Sequence, residues 1–310
     1  MTPELSVIFV NWNGGELLKR AVESVERFPP SLPFEIIVVD NASTDGSREW
    51  LRSVGRRVRL VENEDNRGFS KANNQGIKAS TSPFVFLLNT DAEVRAGAFD
   101  KLIETMRADA RAGAVAPRLV NPDGTLQPSV WRNPPTPWET LLSGLKLYRL
   151  IPRRVRGRLL LGTFWDHAER RSVPMLPGTA LLVRRETIED VGALDEGFHM
   201  YFEDVEWSLR MVRGGWHLVF EPEAVVMHHG GQSALLRWGA GERWRVQLEA
   251  SVKFQRQCLP AWQVRANLLA HYAVLLFERA SRALRGRPAD DVRMALKVYA
   301  EHLRRAPARR

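Results

Sequence analysis

Apolar and polar positions alternate between two periods along the N-terminal half of the chain. Short apolar runs at 5–10 (LSVIFV), 35–39 (EIIVV), 58–62 and 84–88 (FVFLL) have the length of buried strands. Helical spacing takes over between them. Leu17, Leu18, Ala21 and Val25 share one face of a helix over 16–27. A second helix opens near Glu49, a third runs from a capping Ser70 through Ile77, and a fourth covers 98–108. This β-α-β-α-β-α-β rhythm predicts an α/β fold built on a mostly parallel, doubly wound sheet. Such sheets bind ligands beyond the carboxyl ends of their strands, where Asp40 and Asn89-Thr90-Asp91 stand.

The pattern loosens afterwards. Residues 121–171 are rich in proline and in basic residues (Lys146, Arg149, Arg153, Arg154, Arg156, Arg158, Arg170, Arg171), which predicts an irregular surface segment. Order returns at Pro177-Gly178-Thr179 and a strand over 180–183. A helix begins near Glu203 with Val205, Leu209 and Val212 at helical spacing, and further helices cover 244–256, 261–280 and 289–305. The last sets Val292, Leu296, Tyr299 and Leu303 opposite Arg293, Lys297 and Arg304.

Composition narrows the class. The chain has 310 residues, 44% hydrophobic and 26% charged, which excludes a disordered or collagen-like polymer. A single cysteine, Cys258, excludes an internal disulfide and a four-cysteine zinc site. The net charge is +9, and 38 of the 45 basic residues are arginine. A phosphate-bearing ligand, an anionic membrane or nucleic acid would each account for that excess, and so would a GC-rich coding sequence. The first apolar run lacks the flanks of a signal peptide, and no apolar window reaches the length of a membrane span. The compartment expected is the cytoplasm, free or at the inner face of the plasma membrane.

Several positions could carry chemistry, each with a plainer alternative. Asp40 could accept hydrogen bonds from a base or ribose, or cap the following turn. Asp91, after Asn89, could hold a hard cation against a diphosphate, or close a turn. Asn66–Ser70 leads into a helix start that favours anions, an arrangement common at ordinary helices. Glu203 and Asp204 fall in the first turn of a helix, where acids either cap or, beside the aromatic run 198–202, are buried enough to form a base. His228 and His229 would point to opposite faces of a strand, so one of them could ligate a metal or pack structurally.

The stretches LSVIFVNWNG, EIIVVDNASTDGS, NRGFSKANNQGI, FVFLLNTDAEV, PGTALLVRRE, LDEGFHMYFEDVEWSLR and HHGGQS, spread over about residues 5–235, occur in an order that resembles the family 2 glycosyltransferases, in particular their bacterial rhamnosyltransferase-like branch. The resemblance implies the GT-A fold, with a domain over 1–240 (nucleotide-sugar half 1–117, acceptor half 118–240) and a helical C-terminal extension over 241–310. It implies inverting transfer of a sugar from a nucleoside diphosphate sugar to a glycan or lipid-linked acceptor in cell-envelope polysaccharide synthesis, assisted by Mg2+ or Mn2+. dTDP-rhamnose is the first donor to consider, with UDP- and GDP-sugars open. Nucleotide-sugar contacts are then expected from Asn11, Asp40, Asn41, Gly68, Asn73, Asn89 and Gly178. The metal would be held by Asp91 and by His228, which has the H-x-G-G-x-S spacing to Ser233, with His229 as the alternative. Asp204 would be the catalytic base with Glu203 as its neighbour. Asn89 stands where the family's metal motif has its first acid, which leaves fewer charges for the metal.

The arginine-rich 146–171 segment and the C-terminal helices suggest the acceptor side, with peripheral contact to an anionic membrane; the apolar run 266–277 fits an interfacial helix, a core helix or an oligomer contact. A non-catalytic nucleotide-sugar binder remains the main alternative. A nucleic-acid-binding protein lacks any zinc-finger, aromatic RNA-binding or basic-zipper pattern, and a dinucleotide oxidoreductase would need G-x-G-x-x-G where Asn11–Gly15 stands.

Overall fold

The computed structural model describes residues 2–130, 136–230 and 232–304, without the side chains of 153–154, 158–159 and 232–241. Gly231 and the side chains of Ser233, Arg153, Arg154 and Arg158, named above, lie outside the described residues. In chain order the elements are β1 (Leu5–Asn11), α1 (Gly15–Arg27), β2 (Phe34–Asp40), α2 (Ser47–Ser53), β3 (Arg59–Glu62), α3 (Phe69–Ala79), β4 (Phe84–Leu88), β5 (Ala92–Val94), α4 (Ala98–Ala108) and β6 (Ala112–Val120). They continue with α5 (Pro137–Gly144), α6 (Arg153–Leu160), β7 (Arg171–Ser172), β8 (Ala180–Arg184), α7 (Arg185–Val191), α8 (Glu203–Arg213), β9 (His217–His228), α9 (Gln232–Cys258), α10 (Ala261–Leu284) and α11 (Asp290–Arg304). The chain divides into two compact units, residues 1–131 with 167–237 and residues 132–166 with 238–310.

The first unit is built on a nine-stranded sheet of order β3-β2-β1-β4-β8-β6-β9-β5, with β7 added beside β9. Its β3-β2-β1-β4 half is parallel, as the alternating rhythm predicts. The other half is mixed: β8 runs antiparallel to both β4 and β6, whereas β6 and β9 are parallel. β1 and β4 are buried on both faces because helices cover both. Leu5, Val7 and Phe9 of β1 pack with α1 and α4 through Leu18, Val22, Val25 and Phe99. The alternate residues Ile8 and Val39 meet α3, and a Cβ on Gly76 would stand 2.4 Å from Ile8 Cγ2, so only glycine lets that helix lie so close.

One local expectation changes. Ser70 does not cap α3: the N-cap is Gly68, and the Ser70 hydroxyl donates to Phe198 O at 2.7 Å. A side chain already in the first turn is too far along to cap, and this one ties in a distant loop instead. The buried side of α8 is Val205, Trp207, Ser208 and Met211, while Val212 is exposed. The bulk of Trp207, with its indole N–H on Gly192 O at 2.8 Å, sets that rotation.

The second unit is helical. The stretch expected to be irregular carries α5 and α6, and α5 opens with a complete capping box, Thr136 and Glu139, and a proline in its first turn. A Cβ on Gly144 would stand 2.3 Å from Val274 Cγ1, which marks a close crossing of α5 and α10. α9, α10 and α11 share a core of Leu248, Val252, Val264, Leu268 and Tyr299.

Phe86 is fully buried and meets Phe99 edge-on, with centroids 5.3 Å apart. Phe86→Ala is expected to lower the unfolding free energy by about 3–5 kcal/mol, read by urea denaturation. A loss below about 1 kcal/mol would mean that this layer is not the core of the first unit.

Candidate active site

The carboxyl ends of the parallel strands bring the sequence candidates together. Asn11 and Asp40 are partners in the β1–β2 register. Asn11 Nδ2 donates to Asp40 Oδ2 at 2.8 Å, while Arg48 Nε and the Ser43 backbone N–H donate to Oδ1 at 2.6 and 3.0 Å. Burial alone would raise the Asp40 carboxyl. The donors from Ser43, Arg48 and Asn11 outweigh it and hold the pKa below the usual aspartate value. Asp40 is wholly buried and its oxygens are engaged within the protein, so here it braces the β2–α2 turn. Asn41 Nδ2 donates to Gly68 O at 3.2 Å, and Asn41 Oδ1 accepts from Asn63. Asn73 is buried and donates back to Phe69 O within α3.

Gly68 sits at φ +82°, and a Cβ there would stand 2.4 Å from His199 Nδ1. The Phe69 N–H donates to His199 O at 2.9 Å, so the start of α3 holds the loop that leads into α8. The last two residues of that loop, Tyr201 and Phe202, both have φ of 69°, a left-handed conformation that bulky residues rarely adopt. This forced turn delivers Glu203 and Asp204.

The two acids are unequal. Asp204 Oδ2 accepts the Gly178 N–H at 3.0 Å, and Oδ1 accepts the Val205 N–H at 2.8 Å. Burial raises the Asp204 pKa, and these two donors oppose the rise. Glu203 is buried, its Oε2 has no hydrogen-bond partner, and burial followed by the charge of Asp204 pushes its pKa well above the usual 4.5. Burial raises both carboxyls, and the two N–H groups on Asp204 hold its rise below that of Glu203.

The Asn89–Asp91 turn joins the same rim. Antiparallel pairing of β4 and β8 continues past the strands, with the Asn89 N–H donating to Thr179 O at 2.9 Å. Thr179 follows Gly178, so one short loop touches Asn89 on one side and Asp204 on the other. β5 then pairs with β9, placing Ala92 opposite His228. His228 faces Asp91, with Nε2 3.3 Å from Oδ1, while His229 turns to Glu93 at 3.0 Å.

Gln127, which the sequence pattern did not single out, sets the state of His228. The Asp123 carboxylate accepts the Thr125 hydroxyl proton at 2.6 Å, and Thr125 Oγ1 accepts from Asn121 Nδ2 at 2.9 Å. Asn121 Oδ1 in turn accepts from Gln127 Nε2 at 2.9 Å. Gln127 therefore presents Oε1 to His228 Nδ1 at 2.6 Å, which requires the imidazole proton on Nδ1. The lone pair of Nε2 then faces Asp91 Oδ1. That nitrogen is buried without a hydrogen bond, 3.3 Å from Asp91 Oδ1, a separation that either a shared proton or a cation between the two would bridge.

These donors fit a divalent cation. Neighbouring ligands on an octahedral ion with bonds near 2.1 Å stand about 3 Å apart. Among the described residues no group of three or more His, Cys, Asp or Glu forms a metal cage. Two protein ligands suit an ion whose other positions are filled by phosphate oxygens and water.

Known proteins share this plan. The chain is 29% identical over 259 residues to the N-acetylglucosaminyl-diphospho-decaprenol L-rhamnosyltransferase of Mycobacterium tuberculosis, covering 75% of this chain and 78% of that protein. It is 26% identical over 217 residues to a low-salt glycan biosynthesis hexosyltransferase of Haloferax volcanii, covering 69% of this chain and 63% of that one. Its fold matches a mannosyltransferase of Pyrobaculum calidifontis in complex with GDP-Man and Mn2+, at a TM-score of 0.53 and 20% identity, over 99% of this chain and 82% of that chain. It also matches GalNAc-T7 with UDP, GalNAc and Mn2+ at a TM-score of 0.56 and 20% identity, over 82% of this chain and 48% of that chain. The fold is therefore the GT-A fold with added C-terminal helices. With residues 6–192 matching Glycosyl transferase family 2, the chain belongs to that family.

Proposed function

We propose that the protein is an inverting glycosyltransferase that moves a sugar from a nucleoside diphosphate sugar to a hydroxyl of a glycan or lipid-linked acceptor in cell-envelope polysaccharide synthesis. The observation that carries this reading is the shared rim on which Asp204 and the Asp91–His228 pair are tied through Gly178, Thr179 and Asn89. A non-catalytic binder would have no need of two adjacent buried acids, one of them braced by the Gly178 and Val205 N–H groups. dTDP-rhamnose is the donor proposed first, and a polyprenyl diphosphate sugar the acceptor, supported by the name of the mycobacterial relative. Such an acceptor puts the protein at the inner face of an anionic membrane as a peripheral protein.

Asp204 does the proton chemistry. Its carboxylate takes the proton of the acceptor hydroxyl as that oxygen attacks the anomeric carbon from the side opposite the leaving diphosphate, which inverts the configuration. The raised pKa brings this base closer to working pH, and the stronger rise of Glu203 weakens the charge beside it. Asp91 and His228 would hold Mg2+ or Mn2+, which when bound offsets the charge on the departing diphosphate. Gln127 keeps His228 in the tautomer that presents Nε2. Gly68 and the start of α3, with Asn11, Asn41 and Asn89, frame the nucleotide side.

The test is a screen of nucleotide sugars for donor hydrolysis and for transfer to a lipid-linked acceptor, with and without chelator. Asp204→Asn should lower kcat by about 10²–10⁴-fold while donor binding stays within about twofold; unchanged turnover would remove Asp204 from the base role. In the native enzyme kcat/KM should fall as pH drops through the Asp204 pKa, so the acid limb of the profile lies above the usual aspartate value of 3.8. An acid limb at that value would contradict the buried-pair reading. Gln127→Leu should weaken Mn2+ binding, followed calorimetrically with donor nucleotide present, by about 10–100-fold, and Gln127→Glu should restore most of it. Equal Mn2+ affinity in all three forms would place the metal elsewhere.

A further inference from the structure

The two units differ sharply in charge. Residues 132–166 and 238–310 hold 22 basic and 8 acidic residues, a net +14, which leaves the first unit with 23 basic and 28 acidic residues, a net −5. Arginine itself is shared equally, 19 in each unit, so it is the scarcity of acids in the second unit that makes it basic. Exposed apolar bulk is segregated in the same way. Among the described residues, every large hydrophobic side chain that stands exposed belongs to the second unit, Val212 excepted.

Much of this surface is one helix. α10 runs for 24 residues, about 36 Å of helix. Its buried side is Val264, Asn267, Leu268 and Ala270. Trp262, Leu269, Leu276, Phe277 and Leu284 are exposed by 70%, 51%, 44%, 57% and 90%. At 100° per residue these five fall within an arc of about 100°, so they form one continuous stripe along the helix. Arg265 and Arg279 border the stripe, and neither forms an ion pair among the described residues. At its C-terminal end a cleft of about 470 Å³ is lined by Lys146, Arg282, Arg285 and Arg287 beside Phe277. Arg282 is held by Glu278 and Asp291, whereas Lys146, Arg285 and Arg287 have no acidic partner there.

We infer that the exposed stripe of α10 and its basic border are the surface by which this chain lies on an anionic bilayer. The inference rests on the proposed lipid-linked acceptor only for its purpose; the surface itself is read from charge and exposure. An apolar stripe bordered by arginines, with a tryptophan at one end, matches an interfacial helix whose apolar face sinks into the boundary between headgroups and acyl chains. The arginines extend to the lipid phosphates, and the cleft at the C-terminal end receives a phosphate headgroup. No helix of the described chain is long and apolar enough to cross a membrane. A second copy of the chain is the poorer occupant, because it would set one unit of net +14 against another. Nucleic acid would leave the apolar stripe without a use.

Full-length protein is sedimented with vesicles of phosphatidylcholine containing phosphatidylglycerol, and with vesicles of phosphatidylcholine alone. Its mass in solution is measured by analytical ultracentrifugation. The native chain should pellet with the anionic vesicles and release as salt rises. Leu276→Gln with Phe277→Gln should weaken binding at least about tenfold. Arg265→Gln and Arg279→Gln should each weaken it about fivefold. Thermal melting and donor hydrolysis, which is carried out in the first unit, should match the native chain and so exclude misfolding. Pelleting that is absent, or equal on neutral vesicles, overturns the inference. So does a dimer that the stripe variant breaks, or duplex DNA retained without vesicle binding. Vesicle binding is read without any turnover, so failure of the proposed transfer reaction leaves this result intact.

Discussion

The pairing of β4 with β8 is the joint on which the site depends. A parallel sheet alone would gather Asn11, Asp40 and Asn89 at its carboxyl edge and stop there. Because β8 runs the other way, its N-terminal end lies at the same edge, and the Gly178–Thr179 loop arrives beside Asn89. The N–H of Gly178 then reaches Asp204. A Cβ at Gly178 would sit 3.4 Å from Asp204 Cβ and 3.8 Å from Oδ2, so the loop lies in van der Waals contact with the acid. One antiparallel pair thus connects the carboxyl edge of the parallel strands to Asp204, and the mixed half of the sheet follows from it.

Electrostatics then divides the labour between neighbouring groups that look alike in sequence. Glu203 and Asp204 are adjacent acids on one helical turn, yet Asp204 accepts the Gly178 and Val205 N–H groups while Glu203 Oε2 is buried without a partner, so burial raises Glu203 further. His228 and His229 are adjacent histidines, yet strand geometry sends one to Asp91 and the other to Glu93. Asp40 and Asp91 both end strands of the parallel half. Asp40 is saturated by Asn11, Ser43 and Arg48, whereas Asp91 faces a buried nitrogen with a free lone pair. The position of each acid is local; its charge state is decided by donors from distant segments.

That distinction explains what was legible in the sequence. β1, β2 and β4 are short, largely apolar and closed by polar residues, so they could be read directly, along with the placement of Asp40 and Asp91 at strand ends. α11 was legible from its single apolar stripe. The role of Gln127 was not, because it sits in an aperiodic proline-rich stretch and acts through Asn121, Thr125 and Asp123, a relay visible only once the turn is folded. The saturation of Asp40 was hidden because Arg48 carries no motif of its own. Helices α5 and α6 were read as irregular because prolines and arginines interrupt any period, although the Thr136–Glu139 capping box was present in the letters. The spacing of Val205, Leu209 and Val212 showed a helix but not its buried face, on which Trp207 lies.

The opposite net charges of the two units give the chain's positive charge a physical reading that composition could not. A net charge of +9 spread evenly would favour any polyanion alike. Concentrated as +14 in one unit and opposed by −5 in the other, it falls on the unit that also carries the exposed large apolar side chains of the described residues, Val212 excepted. On net charge the first unit repels a phosphate surface and the second attracts one. The coincidence of positive charge with apolar exposure in one unit is what separates a lipid surface from a generic polyanion, because a polyanion without an apolar layer would leave Trp262, Leu276 and Phe277 unused.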